Sequence, residues 1–173
     1  MEFEQFVAAR ASALLRTAHL LAGSHHEAED IVQTVLTRMF VRWRKLGDEF
    51  PEAYARRAIV NAAVNMRQRL RRREISTADL PEVTGGDVAE AHAARDTMWR
   101  ALRRLPPKQR AVLVLRYYDD STETEIADLL GCSTGTVKSQ AAKALAKLRS
   151  DPSLAGRVDR LESLDAADRR PVS

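Results

Sequence analysis

At 173 residues, with 28 basic and 24 acidic side chains, a net charge of +4 and a pI near 9.6, the chain suits one ordinary domain or two small ones. Few aromatics and glycines beside abundant alanine, leucine and arginine favour an all-α protein. The single Cys132 excludes an internal disulfide framework. The opening MEFEQFVAAR carries acids where a signal peptide carries bases. No later apolar run approaches the ~18 residues of a membrane span. A soluble, cytoplasmic protein without membrane insertion is therefore expected.

Phe3, Phe6, Val7, Leu14, Ala18 and Leu21 keep helical spacing, and Gly23 ends the run. Ser24 and Glu27 form a capping-box pattern that opens a second helix, from about His25 to Lys45. Its apolar stripe is wide: Ile31, Val32, Val35, Leu36, Met39, Phe40 and Trp43. Such a stripe either covers one core or leaves a seam for another protein. His25, His26 and Glu27 occupy consecutive cap positions that point different ways, so no metal site is expected there.

After the loop LGDEFPE comes the segment from Ala53 to Arg73, which holds seven arginines (56, 57, 67, 69, 71, 72 and 73) and no acid. Ala55, Ala58, Ile59, Ala62, Met66 and Leu70 supply its buried face. Arginine runs on helices are usually balanced by glutamates, and this one is not. Unbalanced charge of this density repels itself unless phosphates are present, so it points to nucleic acid. Asn61 and Asn65, one turn apart among the arginines, add amides able to read an exposed base.

From Glu74 to Asp96 the charge reverses, with six acids and one arginine around the turn-rich TADLPEVTGGD. This reads as a flexible acidic linker between two small helical domains. Met98, Trp99, Leu102 and Leu105 form a helix that stops before Pro106 and Pro107, and the next helix runs from Gln109 to Tyr118.

Thr122 to Arg149 then reads as a helix-turn-helix. Thr122 and Glu125 cap its first helix, Gly131 ends that helix, and Ser133 caps the second. The second helix buries Val137, Ala141, Ala144, Leu145 and Leu148, leaving Thr136, Lys138, Ser139, Gln140, Lys143 and Lys147 on polar faces. Asp119 to Asp128 contains five acids and no base, whereas Cys132 to Arg149 contains four bases and no acid. A basic, hydroxyl-rich outer face suits a DNA major groove, although an ordinary helical hairpin with a solvated basic face has the same pattern. Cys132, in the turn, is expected to be a small buried apolar residue. The final stretch has mixed charge and a weak leucine pattern at 154, 161 and 164, with no assignable task.

The strings HEAEDIVQTVLTRMF, PEAYARRAIVNAAVN, LPPKQRAVLVLRYYDDSTETEIADLLGCSTGTVKS and AKALAKLR, in this order, resemble the extracytoplasmic-function sigma factors of the bacterial sigma-70 family. Residues 3–73 resemble region 2 and residues 97–149 resemble region 4. The resemblance implies domains at 1–73 and 94–149, a linker at 74–93 and a tail at 150–173. It implies a non-catalytic, cofactor-free factor that binds core RNA polymerase and promoter DNA and is held by an anti-sigma factor.

By the same resemblance, Asp30, Gln33 and Leu36 fall on the polymerase-binding helix. Tyr54, Arg56, Arg57, Asn61, Asn65, Arg67 and Arg69 fall on the segment that opens the minus-10 element. Arg116, Thr136, Lys138, Ser139 and Lys143 fall on the part that reads the minus-35 element. Tyr54 stands where relatives often carry tryptophan, and Gln140 and Ala142 also depart from the residues often seen there. A free-standing helix-turn-helix regulator is the alternative within DNA binding. A metal-dependent helical nuclease lacks any spaced ligand set in this sequence.

Overall fold

The computed structural model describes residues 2–46, 51–74, 89–154 and 156–161. Seven helices follow in order: α1 (Phe3–Ala22), α2 (His25–Leu46), α3 (Pro51–Glu74), α4 (Ala89–Arg104), α5 (Pro107–Tyr117), α6 (Glu123–Leu130) and α7 (Thr134–Arg149). A further helical stretch covers residues 156–161. The described residues contain no strand. Most of the stretch read as an acidic linker lies outside the described residues, and α4 begins at Ala89, inside the expected linker.

Helix ends follow local chemistry. Gly23 closes α1 at φ 97° and Gly131 closes α6 at φ 61°, left-handed conformations that a residue without Cβ adopts at little cost. Thr122 and Glu125 make the full reciprocal box: Thr122 Oγ1 accepts the Glu125 amide at 3.3 Å, and Glu125 Oε2 accepts the Thr122 amide at 2.7 Å. Ser133 Oγ accepts the Thr136 amide at 3.1 Å, which starts α7. At α2 half of the expected box forms, with Ser24 Oγ accepting the Glu27 amide at 3.2 Å. Glu27 turns its Oε2 into a buried position without a hydrogen-bond partner.

Helices α1, α2 and α3 pack around Phe6, Leu14, Ala18, Leu21, Ile31, Val35, Met39, Ala55, Ile59 and Ala63. This core continues into the second half through Ala111, Val112, Val114, Leu115, Ile126, Ala127, Val137 and Ala141. The two sequence-defined halves therefore dock on each other. Cys132 is half-buried against the same core.

A second cluster joins Ala101, Leu102, Leu105, Leu113, Ala144, Leu145 and Leu148 to Leu154 and Val158, both fully buried. The residues after Arg149 thus contribute side chains to the helix-turn-helix half, fastened by an Arg149–Asp159 ion pair at 3.2 Å.

Candidate nucleic-acid interface

Helix α3 turns Ala55, Ile59, Val60, Ala63 and Val64 into the core, which leaves Asn61 and Asn65 exposed one turn apart. Tyr54 is half-buried against the core. The side chains of Arg67 and Arg69 lie outside the described residues.

Arg56 and Arg57 reach residues of the second half. Arg56 Nε lies 2.9 Å from Asp119 Oδ2, at the foot of the helix-turn-helix. Burial holds the Asp119 carboxyl above the ordinary carboxylate range, and Arg56 draws it back only in part. Arg57 Nη2 donates to the Asp128 carbonyl at 3.0 Å, one of the last carbonyls of α6 that the helical ladder leaves open.

On α7, Val137, Ala141, Ala144, Leu145 and Leu148 are buried as the spacing predicts. Thr136, Lys138, Ser139 and Lys143 are exposed on the outer face, and Gln140 is half-buried. Arg116, at the end of α5, is drawn to this face by Glu123: Arg116 Nη2 lies 3.3 Å and Lys138 Nζ 3.5 Å from the two oxygens of that carboxylate. Of the five predicted residues of this set, Arg116 and Lys138 thus meet at the Glu123 carboxylate, while Thr136, Ser139 and Lys143 are exposed on the same helix as Lys138.

The wide stripe of α2 divides. Ile31, Val32, Val35 and Met39 enter the core, whereas Phe40 is 60% and Val41 79% exposed. Between α1 and α2 lies an apolar groove of 680 Å³ lined by Phe3, Val7, Leu15, Gln33, Leu36 and Phe40, among others. Phe40 rests edge-on against Phe3, with ring centroids 5.3 Å apart. Gln33 and Leu36 line this groove; Asp30 stands outside it, 3.6 Å from His26.

Residues 6–73 match the model of sigma-70 region 2, and residues 95–148 match that of sigma-70 region 4. The RNA polymerase sigma-E factor of Streptomyces coelicolor is 40% identical over 152 residues, 87% of this chain and 86% of that protein. The chain belongs to the sigma-70 family, as an extracytoplasmic-function sigma factor.

As a sigma factor it binds core RNA polymerase and promoter DNA and directs promoter-specific transcription initiation. The sigma factor SigL of Mycobacterium tuberculosis is 32% identical over 145 residues, 80% of this chain and 82% of its own length. Among solved structures, the Bartonella quintana sigma factor RpoE in complex with the anti-sigma factor NepR has a TM-score of 0.65. It is 24% identical, with 86% of this chain and 94% of that one covered, and so supports the shared fold. Among the described residues of this sigma factor, no helix is long and apolar enough to cross a membrane.

Three residues in this sigma factor's interfaces were not singled out by sequence reasoning: Asp119, Glu123 and Arg110. The five-acid run from Asp119 to Asp128 was the available signal for the first two. For Arg110 it was one long cation inside the apolar run that becomes α5.

Proposed function

We propose that this sigma factor divides promoter reading between α3 and α7 and holds polymerase with α2. The division follows domains at 1–73 and 94–149, with a linker at 74–93 and a tail at 150–173. Asn61 and Asn65 take the edges of a base extruded from the minus-10 element, since a base must leave the stack before its edges can be read. Tyr54 stacks, and Arg56, Arg57, Arg67 and Arg69 hold the phosphates of the separated strand. Lys138 and Lys143 meet the phosphates of the minus-35 duplex, with Arg116 beside them, while Thr136 and Ser139 reach base edges.

The observation that carries this reading is the pair of asparagine amides left exposed on an arginine-rich helix, away from the core that buries the rest of α3. The groove at Gln33 and Leu36, extended by exposed Phe40 and Val41, supports polymerase binding there, with Asp30 as a polar contact at its margin. The protein acts in the cytoplasm, without a reaction of its own. The Bartonella relative is held by an anti-sigma factor, and a partner of that class is proposed for this chain.

The test is co-elution with purified core RNA polymerase followed by run-off transcription from promoters altered in one element at a time. Core binding with discrete starts that depend on both elements is expected. Duplex binding without core binding would contradict the proposal.

A further inference from the structure

Helix α2 carries a charged flank that neither the core nor the groove uses. Residues 31–47 hold four bases, Arg38, Arg42, Arg44 and Lys45, and no acid. All four are exposed, as is Val41 among them at 79%. Among the described residues no side chain forms an ion pair or hydrogen bond with any of the four. Arg38 stands two positions from both Leu36 and Phe40 of the groove, which at 3.6 residues per turn is the far side of the helix. Arg42 follows Arg38 by four residues and Lys45 follows Arg42 by three, so these three cations share a face. Because α2 packs against both α1 and α3, this flank, turned away from the α1 groove, is the one nearer α3.

We propose that this flank of α2 is a second, sequence-independent nucleic-acid surface, on which Arg38, Arg42 and Lys45 hold phosphates of promoter DNA beside the segment read by α3. The inference rests on the reading of α3 as the minus-10 helix. Helix polarity accounts for Arg44 and Lys45 in the last turn, where cations complement the dipole, but not for Arg38, eight residues before the helix ends. Arg38 and Arg42, one turn apart, repel each other and weaken the helix unless an anion lies against them. DNA supplies anions at a matching interval: the row spans about 10 Å at 1.5 Å per residue, and three backbone steps of one strand cover roughly the same length. Four residues separate Leu46 of α2 from Pro51 of α3, so the row ends near the start of α3, where Tyr54 stands. Exposed Val41 adds an apolar contact for sugars, which like phosphates carry no sequence information.

The test uses the full chain assembled with core RNA polymerase, and two variants. One, Arg38→Gln with Arg42→Gln and Lys45→Gln, removes the charges; the other, Arg38→Lys with Arg42→Lys, keeps them. Salt titrations of holoenzyme affinity are run on a promoter with an intact minus-10 element and on one with that element altered. Co-elution with core polymerase is measured beside them.

The neutral variant should bind both promoters more weakly by the same factor, about tenfold near physiological salt. Its log–log salt slope should be shallower by about two, the share of three phosphates on a single strand. The lysine variant should match wild type, and co-elution should be unchanged for both. Titrations of the neutral variant that overlay wild type reveal a solvated face and overturn the surface. Lost co-elution assigns the row to an acidic face of polymerase and overturns it too. A lysine variant as weak as the neutral one traces the loss to packing and overturns the phosphate contact. A loss confined to the intact promoter overturns sequence independence. The reading of α3 is judged separately: a wild-type holoenzyme that binds both promoters equally overturns that reading, whatever the variants do.

Discussion

The Arg110 guanidinium, 2% exposed, donates to the Leu21 carbonyl at 3.2 Å and through its other nitrogen to the Arg103 carbonyl at 2.7 Å. One side chain from α5 thereby satisfies carbonyls at the C-terminal ends of two helices, α1 and α4, which belong to different halves. Cations at such ends also complement the helix dipole. Arg110→Met keeps much of the volume but leaves these carbonyls buried and unpaired. It should cost about 3 kcal/mol, or roughly 10 °C in Tm for a chain of this size. A calorimetric melt within about 1 °C of wild type would contradict this role.

His19 makes stability pH-dependent. Burial holds its imidazole below the usual range, and the charges of His25 and Arg103 add to the effect. Its ring stacks on Trp99 with the planes 14° apart. A lowered folded-state pKa means that the folded chain binds fewer protons than the unfolded chain. The contribution of His19 is therefore complete above the unfolded value of 6.5 and declines as pH falls through the lower folded value. Thermal melts should drop between pH 7 and mildly acidic pH, and His19→Phe, which keeps the stack, should flatten that drop. Parallel pH profiles for the two proteins would rule the mechanism out.

Glu123 restrains the face proposed to read the minus-35 element, because both Arg116 and Lys138 point at its carboxylate. Glu123→Gln removes the charge that draws these cations inward, which favours their contact with phosphate. Affinity for a minus-35 duplex should rise at low salt, with the log–log salt slope steeper by about one. The gain should also extend to unrelated duplexes, narrowing the ratio between specific and non-specific binding. Salt titrations that overlay wild type would show that Glu123 restrains neither cation.

Leu154 is fully buried beneath α4, α5 and α7. Leu154→Ala should cost about 3 kcal/mol and lower Tm by roughly 6–12 °C. Truncation after Arg149 should loosen the helix-turn-helix more than the distant α1–α2 pair, as read by amide hydrogen exchange. Equal protection in the truncated and full chains would leave the 150–161 segment without a structural part.

What was legible in the sequence was local. The Thr122–Glu125 box, the left-handed stops at Gly23 and Gly131, and the Val137, Ala141, Ala144, Leu145, Leu148 stripe each arise within four residues along the chain, where spacing alone carries the signal. The docking of the halves was not legible. Arg56 and Asp119, or Arg110 and Leu21, meet across long separations, and nothing in the flanking residues of either encodes the other.

The leucine pattern at 154, 161 and 164 includes buried Leu154 but passes over Val158, which is fully buried while Leu161 is only half-buried. Of the candidate site, the exposed Asn61, Asn65, Lys138 and Ser139 were readable as polar positions between apolar ones. The acids that hold Arg56, Arg116 and Lys138 were visible only as a charge run without a target.

The central claim is that Asn61, helped by Asn65, holds an extruded minus-10 base. Its most direct test is permanganate reactivity of the minus-10 thymines on promoter DNA, comparing holoenzymes assembled with wild-type and Asn61→Ala sigma. Both proteins should co-elute equally with core polymerase, and the variant should lose about tenfold or more in opened promoter, the scale of one good base-edge pair. Equal reactivity at equal core occupancy would contradict the account.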